Sequence, residues 1–352
     1  MTAKRIAGVS LTFSWTSLIG ALDGVLRALG AARPFHELMG VTGFAFRLAL
    51  TEEAGVLAAA PAAAAVGLRS ALPLLENAGV GLELMEARPD EPAYGDRRHE
   101  ALRAMRRSID RGRPAIAYDL HVPEFGIVGG YDDAAGTLTV STLMSGQFGA
   151  TLAERRWPVP ERRGPMIVLV PGRLRPVDPG GAAVTALRFA VAYAEAGDPD
   201  DSTGATHGLA AYARWRECFE RGEPIDPAGN ARAIQTVQAA RRDAARFLRE
   251  SGFGAPAAGA LAKAAEAYER VALAVSRMAT LFPYPAGGDP TSPAGRHVAL
   301  AALRDAEAHE REALEQVRAA LASLPEEGAD SRMRGALLLF RRIFGRRAAS
   351  DE

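Results

Sequence analysis

Cysteine is nearly absent from the chain. Cys218 is the single cysteine among 352 residues, which excludes an internal disulfide and any metal site built from several cysteines. Lysine is almost as scarce: Lys4 and Lys263 are the two lysines among 42 basic residues, which leaves 42 − 2 = 40 arginines, a bias that we attribute to GC-rich coding. Net charge is absent too, because 42 acidic residues balance the basic ones. Bulk electrostatics therefore give no support to a nucleic-acid partner.

Long apolar runs, a secretory signal and a phosphate-binding loop are also missing. The Ala-rich run Ala54–Val66 is too short to span a bilayer, and Met1–Arg5 is followed by a mixed segment instead of a signal-peptide core. The glycines Gly126, Gly129 and Gly130 do not form a G-x-G-x-x-G motif, and no P-loop lysine is present. These absences predict a cytoplasmic protein without a membrane span, a nucleotide cofactor or a bound metal.

Three strand-like segments lie close together between Gly112 and Leu143. Ala115–Leu120 and Phe125–Val128 are short apolar runs, and Thr137–Thr142 alternates β-branched residues with others. Each is bounded by Gly, Pro or Asp, which favour tight turns. The pattern predicts the centre of an antiparallel sheet.

Helical spacing dominates elsewhere, most clearly in the second half. Trp15–Leu29 carries an apolar stripe and is followed by Gly30, where a helix-ending glycine belongs. Val56–Ala78 is Ala-rich and is predicted to be helical, whereas Val80–Met85 and Met166–Val170 read as strands. After a Pro- and Gly-containing linker at 173–181 the sequence predicts helices only, over Ala182–Ala196, Ser202–Gly222, Ala228–Ser251, Gly259–Phe282, Ala294–Leu324 and Arg332–Phe344. We therefore expect an α+β domain over 1–172 and an all-α helical domain over 182–348.

A resemblance emerges when the first helix is set beside the central sheet. The Ser17-to-Gly30 spacing, the segment Gly40–Phe46, the tripeptide Gly112-Arg113-Pro114 and the tripeptide Gly130-Tyr131-Asp132 together resemble the papain-like fold. More specifically, residues 6–171 look like the N-terminal domain of butirosin-biosynthesis H-type acyltransferases and, more remotely, like double-glycine leader peptidases. The resemblance implies a papain-like N-terminal domain.

In that family a cysteine at the start of the first helix is the nucleophile and a histidine on the sheet is its base. The matching positions here carry Ser17 and Glu124. The orienting residue falls near Thr142, and the oxyanion glutamine falls among Leu11–Phe13, where no amide side chain stands. The resemblance thus implies that the opening turn of the first helix lies against the sheet, with Ser17 and Glu124 facing each other across a groove.

This substitution pattern leaves several functions open. A carboxylate is a poor base for a serine hydroxyl unless burial raises its pKa. We therefore favour a non-catalytic, degenerate papain-like protein that binds a small molecule or a peptide in the retained cleft. An acyltransferase or amide hydrolase that uses Ser17 and Glu124 is the alternative from the enzyme class, and a structural or assembly protein is the third. For Ser17 itself we favour the interpretation as an N-cap or first-turn helix residue over that of a nucleophile remnant.

Further residues are candidates for ligand contact. Each stands near the expected groove in the sequence pattern and carries a polar or aromatic side chain, and the set is Trp15, Thr42, Phe46, Arg47, Asp119, His121, Tyr131 and Asp132. His121 is a candidate replacement base, and Arg47 can hold a substrate carboxylate. Asp119 and the pair Asp132 and Asp133 can hold a cation together with Glu124, although turn formation explains the aspartate pair without a metal.

Overall fold

The computed structural model describes residues 3–59, 67–159, 162, 164–201, 203–255 and 257–324. Of these residues 54% are helical and 17% lie in strands, and the ladders between the strands are antiparallel. The predicted α+β class is confirmed. The predicted helix Arg332–Phe344 lies outside the described residues.

Two sheets organise the strands. The strands are β1 (Ala3–Arg5), β2 (Ala49–Glu53), β3 (Val56–Ala59), β4 (Val80–Ala87), β5 (Ala115–Tyr118), β6 (Phe125–Asp132), β7 (Thr137–Ser141), β8 (Thr151–Ala153), β9 (Met166–Leu174) and β10 (Thr206–His207). The larger sheet has the order β4-β9-β5-β6-β7-β8, and β1 pairs with the far half of β6. The smaller sheet has the order β10-β2-β3. The three predicted central strands are therefore neighbours, as expected.

Helices flank the large sheet and form the second half of the chain. They are α1 (Ser17–Ala28), α2 (Phe35–Val41), α3 (Leu68–Leu75), α4 (Tyr94–Asp110), α5 (Ser145–Phe148), α6 (Pro179–Ala196), α7 (Gly208–Arg221), α8 (Pro227–Glu250), α9 (Ala257–Ala279) and α10 (Pro293–Ala322). We call residues 3–172 the N-terminal half and residues 179–322 the helical half. None of the described helices combines the length and the apolar character that a membrane span requires.

Helix α1 lies between the large sheet and the N-terminal segment. It packs on β5 and β6, and most of its residues are buried. On another face the chain around Ser10 and Thr12 crosses the helix so closely that a Cβ at Gly20 or Gly24 would overlap its carbonyl oxygens. Glycine at these two positions lets the N-terminal segment pass close to the helix. The start of α1 is thereby held at the turn between β5 and β6.

Two sequence predictions were wrong. Val56–Ala59 is a strand and not the start of a helix, because Ala54 and Gly55 both adopt positive φ (51° and 79°) and close a tight hairpin with β2. The helical half also contributes a strand: Thr206 and His207 pair with Leu50 and Ala49. Two residues are too few to show any periodicity in the sequence.

The two halves share one hydrophobic core. A single cluster of buried side chains includes α1, the strands β5 and β9, and the inner faces of α7 to α10. The hairpin β2–β3 is also tied to the helical half, since Leu57 donates to Pro224 O (3.1 Å) and accepts from Asp226 N (2.9 Å). The start of α8 is therefore fixed next to the N-terminal half.

Candidate functional site

Ser17 and Glu124 are in direct contact. Ser17 is the first residue of α1, and its Oγ donates to Oε2 of Glu124 at 2.5 Å. Ser17 Oγ also accepts the backbone N–H of Phe125 at 3.1 Å, and Ser17 is only 1% exposed. The expected meeting of the two side chains is confirmed by this geometry.

A third side chain, Arg232, completes the contact from the helical half. Its Nη2 pairs with Oε1 of Glu124, the carboxylate oxygen that Ser17 does not use. Helix α8 carries Arg232 there because Asp226 caps the start of the helix through Gly229 N at 2.6 Å. Arg232 carries no local sequence signal, because it is one of many arginines on helix faces. A contact between a carboxylate and a cation that are far apart in the sequence can be recognised only in the folded chain.

The turn before Glu124 is built around Asp119. Asp119 adopts a positive φ of 59°, and its N–H donates to Glu124 O at 3.0 Å. Its buried carboxylate accepts Val159 N at 3.1 Å and pairs with Arg162. Burial raises the pKa of Asp119, against the opposing effect of Arg162. These contacts assign Asp119 to shaping the turn that presents Glu124.

His121 does not reach Ser17. Its Nδ1 lies 3.1 Å from Oγ1 of Thr142, and its ring lies 5.5 Å from that of Phe148. Desolvation lowers the pKa of His121. Among the described residues, the hydrogen-bond partners of Ser17 Oγ are Glu124 and the Phe125 amide. The structure therefore does not place His121 as a base for Ser17.

A groove opens beside this contact, between α1 and α8. It is a half-open groove with a cavity volume of about 80 Å³. Its walls combine two arginines, three hydroxyl side chains and otherwise apolar residues: Arg47, Arg232, Thr16, Ser17, Thr236, Trp15, Leu18, Phe44, Leu48, Ala49, Ala59, Ala233 and Val237. Of the predicted ligand contacts, Trp15 and Arg47 line the groove with Ser17.

Thr42 and Phe46 are not part of the groove wall. Thr42 is fully buried and donates to Leu38 O at 2.5 Å, so its hydroxyl serves the end of α2. Phe46 is buried against the rings of Phe247 and Tyr268. Both residues were expected to contact a ligand, but the end of α2 buries Thr42 and the 3₁₀ turn Phe44–Phe46 buries Phe46.

Arg47 lies at the inner end of the groove in a buried ion pair. Its Nη1 contacts Oδ2 of Asp198 at 2.6 Å. The rings of Phe44, Phe189 and Tyr193 surround its guanidinium at 4.6–5.2 Å, a cation–π arrangement. A carboxylate of the protein itself therefore occupies Arg47, and it comes from the helical half.

Tyr131 and Asp132 lie away from the groove. Tyr131 is six residues along β6 from Phe125, about 20 Å at strand rise, and its hydroxyl donates to Oδ1 of Asp110 at 2.8 Å. Oδ1 of Asp132 accepts the N–H groups of Ala134 and Ala135 in the hairpin turn. Turn chemistry accounts for Asp132, and the strand geometry keeps both residues apart from Glu124.

Exposed aromatic rings stand next to the groove. Trp15, which lines the groove, makes edge contacts with Tyr284 at 5.0 Å and with Phe13 at 6.0 Å. Phe13 and Tyr284 are both exposed. We call these three residues the aromatic rim. The sequence singled out Trp15, but Tyr284 lies 269 positions further along the chain and gave no signal.

Comparisons with family models and with curated proteins give no match. Within the part of the chain that the structure describes, no group of three or more His, Cys, Asp or Glu side chains is arranged to hold a metal ion. Functional argument therefore depends on the groove and its side chains.

Proposed function

We propose that the protein is a degenerate papain-like protein of the butirosin H type, which binds a small molecule or a peptide in the groove beside Ser17 and Glu124 without catalysis. The observation that carries this proposal is the arrangement of Ser17, Glu124 and Arg232 at the side of an open groove. The three side chains are committed to one another, whereas the groove is accessible.

The contacts of Ser17 argue against an active nucleophile. Its oxygen already accepts the Phe125 N–H, and the side chain is buried at the base of α1. Glu124 is engaged on both oxygens, by the Ser17 hydroxyl and by the Arg232 guanidinium. A general base needs a proton affinity matched to the proton that it removes. A carboxylate held by a guanidinium is poorly suited to deprotonate a serine.

The groove itself supports ligand binding. Small-molecule sites are concave and largely apolar, with a few polar groups that converge on the ligand. Here apolar walls surround the hydroxyls of Thr16, Ser17 and Thr236 and two arginines. A purely structural or assembly role does not call for a groove at this junction.

The enzyme alternative rests on one distance. The 2.5 Å contact between Ser17 Oγ and Glu124 has the geometry of a nucleophile and its base, and the start of α1 offers helix-dipole stabilisation. An acyltransferase or amide hydrolase that uses this pair requires Oε2 of Glu124 to take the serine proton while Arg232 stays on Oε1. It therefore predicts turnover that depends on the Ser17 hydroxyl.

Blocking the groove is expected to abolish ligand binding. Thr236 is a partly exposed α8 residue of the groove wall, and Thr236→Trp would fill the space beside it. The matched control is Thr185→Trp on α6, because Thr185 is also partly exposed, makes the same hydroxyl contact to a carbonyl four residues earlier and is not part of the groove lining. Binding is measured by saturation-transfer NMR with a mixture of small acids, amines, alcohols and short peptides.

We expect compounds that bind the wild type and the Thr185→Trp variant and that no longer bind the Thr236→Trp variant. Two outcomes would overturn the proposal. One is that no compound binds the wild type. The other is that every bound compound binds equally well to the Thr236→Trp variant.

A further inference from the structure

The charged side chains of the groove lining are both cationic. Within the described part of the chain these are Arg47 and Arg232, and no carboxylate is part of the wall. Their partners Asp198 and Glu124 are largely buried and hold the arginines from outside the lining. Each arginine is ion-paired, but the wall itself presents guanidinium N–H donors and no carboxylate, which favours a ligand with anionic acceptor oxygens.

Arg232 is the arginine that can take a second partner. A guanidinium carries five N–H donors, and Glu124 is the one acceptor that Arg232 reaches among the described residues. Its side chain is 28% exposed. Donors on its unused edge can therefore bind a carboxylate with charge-assisted hydrogen bonds.

Arg47 adds unsatisfied donors at the inner end of the groove. Its Nε and Nη2 are buried and reach no hydrogen-bond acceptor among the described residues. The surrounding rings of Phe44, Phe189 and Tyr193 attract the charge but replace a full acceptor only in part. Because Arg47 is buried and already paired with Asp198, we place the anion at Arg232, with Arg47 as a fixed neighbouring cation.

The aromatic rim indicates what the rest of the ligand is. Trp15 belongs to the groove wall, and Tyr284 extends it outward with 49% of its surface exposed. Aromatic side chains offer large, rigid and apolar contact area. An apolar or aromatic body of the ligand can pack on Trp15 and Tyr284 while its charged end reaches Arg232.

We infer that the groove takes a small molecule with a carboxylate on an aromatic or otherwise apolar body. The carboxylate binds Arg232, and the body packs along the aromatic rim. This inference rests on the proposed function and specifies the ligand class for the same groove.

Three probes with one body and different end groups test the inference. They are 4-phenylbutyrate, 4-phenylbutan-1-ol and 4-phenylbutylamine, with affinities measured by isothermal titration calorimetry at neutral pH. We expect the acid to bind at least about tenfold more tightly than the alcohol or the amine. Arg232→Gln is expected to weaken binding of the acid by about ten- to a hundredfold, the value of a charge-assisted hydrogen bond, with little effect on the alcohol.

Matched variants separate these contacts from general destabilisation. Arg216→Gln is the control for Arg232→Gln, because Arg216 is also 28% exposed and ion-paired, with Glu307 at 2.6 Å, but lies outside the groove lining. Tyr284→Ala is expected to weaken all three probes several-fold. Phe148→Ala, which removes a similarly exposed ring elsewhere, is expected to leave them unchanged.

Several results would overturn the ligand class. Equal affinities for acid, alcohol and amine, all lost in Thr236→Trp, would show that the ligand needs no carboxylate. The proposed binding function would still hold. If Arg232→Gln binds the acid as tightly as the wild type, Arg232 does not bind the carboxylate. A short peptide with a free C-terminal Phe could bind more tightly than both its amide and 4-phenylbutyrate. That result would show that the ligand is the C-terminus of a peptide and not a small molecule. If none of the probes bind but other compounds are sensitive to Thr236→Trp, the ligand class fails alone.

Discussion

Replacing Arg241 with methionine is expected to lower the free energy of unfolding by about 3–5 kcal/mol. Arg241 and Glu310 form a buried ion pair at 2.7 Å, with side chains 1% and 3% exposed. Arg241 also donates to the carbonyls of Ala45 (2.8 Å) and Arg47 (3.2 Å). Its removal leaves the Glu310 charge buried without a cation and two carbonyls without their donor. Urea unfolding followed by circular dichroism measures the change.

A surface pair and a double variant provide the controls for Arg241. Arg216→Met breaks a partly exposed ion pair on α7 and is expected to cost no more than about 1 kcal/mol. Combining Arg241→Met with Glu310→Leu removes both charges, so a large part of the lost stability should return. A cost for Arg241→Met as small as that of Arg216→Met would show that the pair is solvated.

Replacing Asp198 with asparagine is the second change with a large expected effect. The carboxylate of Asp198 is buried, pairs with Arg47 and accepts N–H groups from Gly67 (3.0 Å) and Asp200 (3.1 Å). Asparagine keeps the shape but leaves the buried Arg47 charge unpaired, which should cost about 3–5 kcal/mol. The control Asp305→Asn breaks an exposed pair with Arg277 and should cost less than about 1 kcal/mol.

The Asp198 effect should also depend on pH. Burial alone would raise its pKa, but the charge and hydrogen bonds of Arg47 and the backbone N–H groups outweigh burial and lower the pKa overall. A carboxyl with a depressed pKa in the folded state stabilises the protein above its unfolded pKa, and this contribution is lost as pH falls through the folded value. The stability difference between wild type and Asp198→Asn should therefore be constant near neutral pH and shrink below about pH 4. A difference that does not change with pH would contradict the ion-pair explanation.

The two buried pairs connect stability to the shape of the groove. Arg241 holds the backbone carbonyls on either side of Phe46, and Asp198 holds the side chain of Arg47. Both partners come from the helical half, whereas the held segment belongs to the N-terminal half. The inner end of the groove is thus fixed by contacts across the two halves.

Local patterns predicted the parts of the fold that local forces determine. Helix α1 was evident because its apolar spacing ends at Gly30, which adopts the positive φ of 74° that glycine tolerates. The central strands were evident because turn residues bound each short apolar run. The strand Val56–Ala59 was missed because alanines favour helices, whereas pairing with β2 and contacts to the loop before α8 override that preference.

The candidate site could be predicted only in part for the same reason. Ser17 and Glu124 could be placed at the two catalytic positions of the papain-like pattern, because each lies at a fixed spacing from a glycine-containing segment nearby. Arg232, Asp198 and Tyr284 could not, because they come from distant elements of the helical half and carry no local pattern. Contacts between elements separated by more than a hundred residues are set by packing, which a single sequence does not display.

Turnover by wild type and by Ser17→Ala, measured side by side with acyl-thioester and peptide substrates, tests the central claim most directly. The claim is that Ser17, Glu124 and Arg232 form a structural contact beside a binding groove. It predicts that neither protein converts these substrates faster than a protein-free blank, while both bind groove ligands. Wild-type turnover that Ser17→Ala abolishes, with the fold and ligand binding intact, would contradict the claim and assign the pair to catalysis.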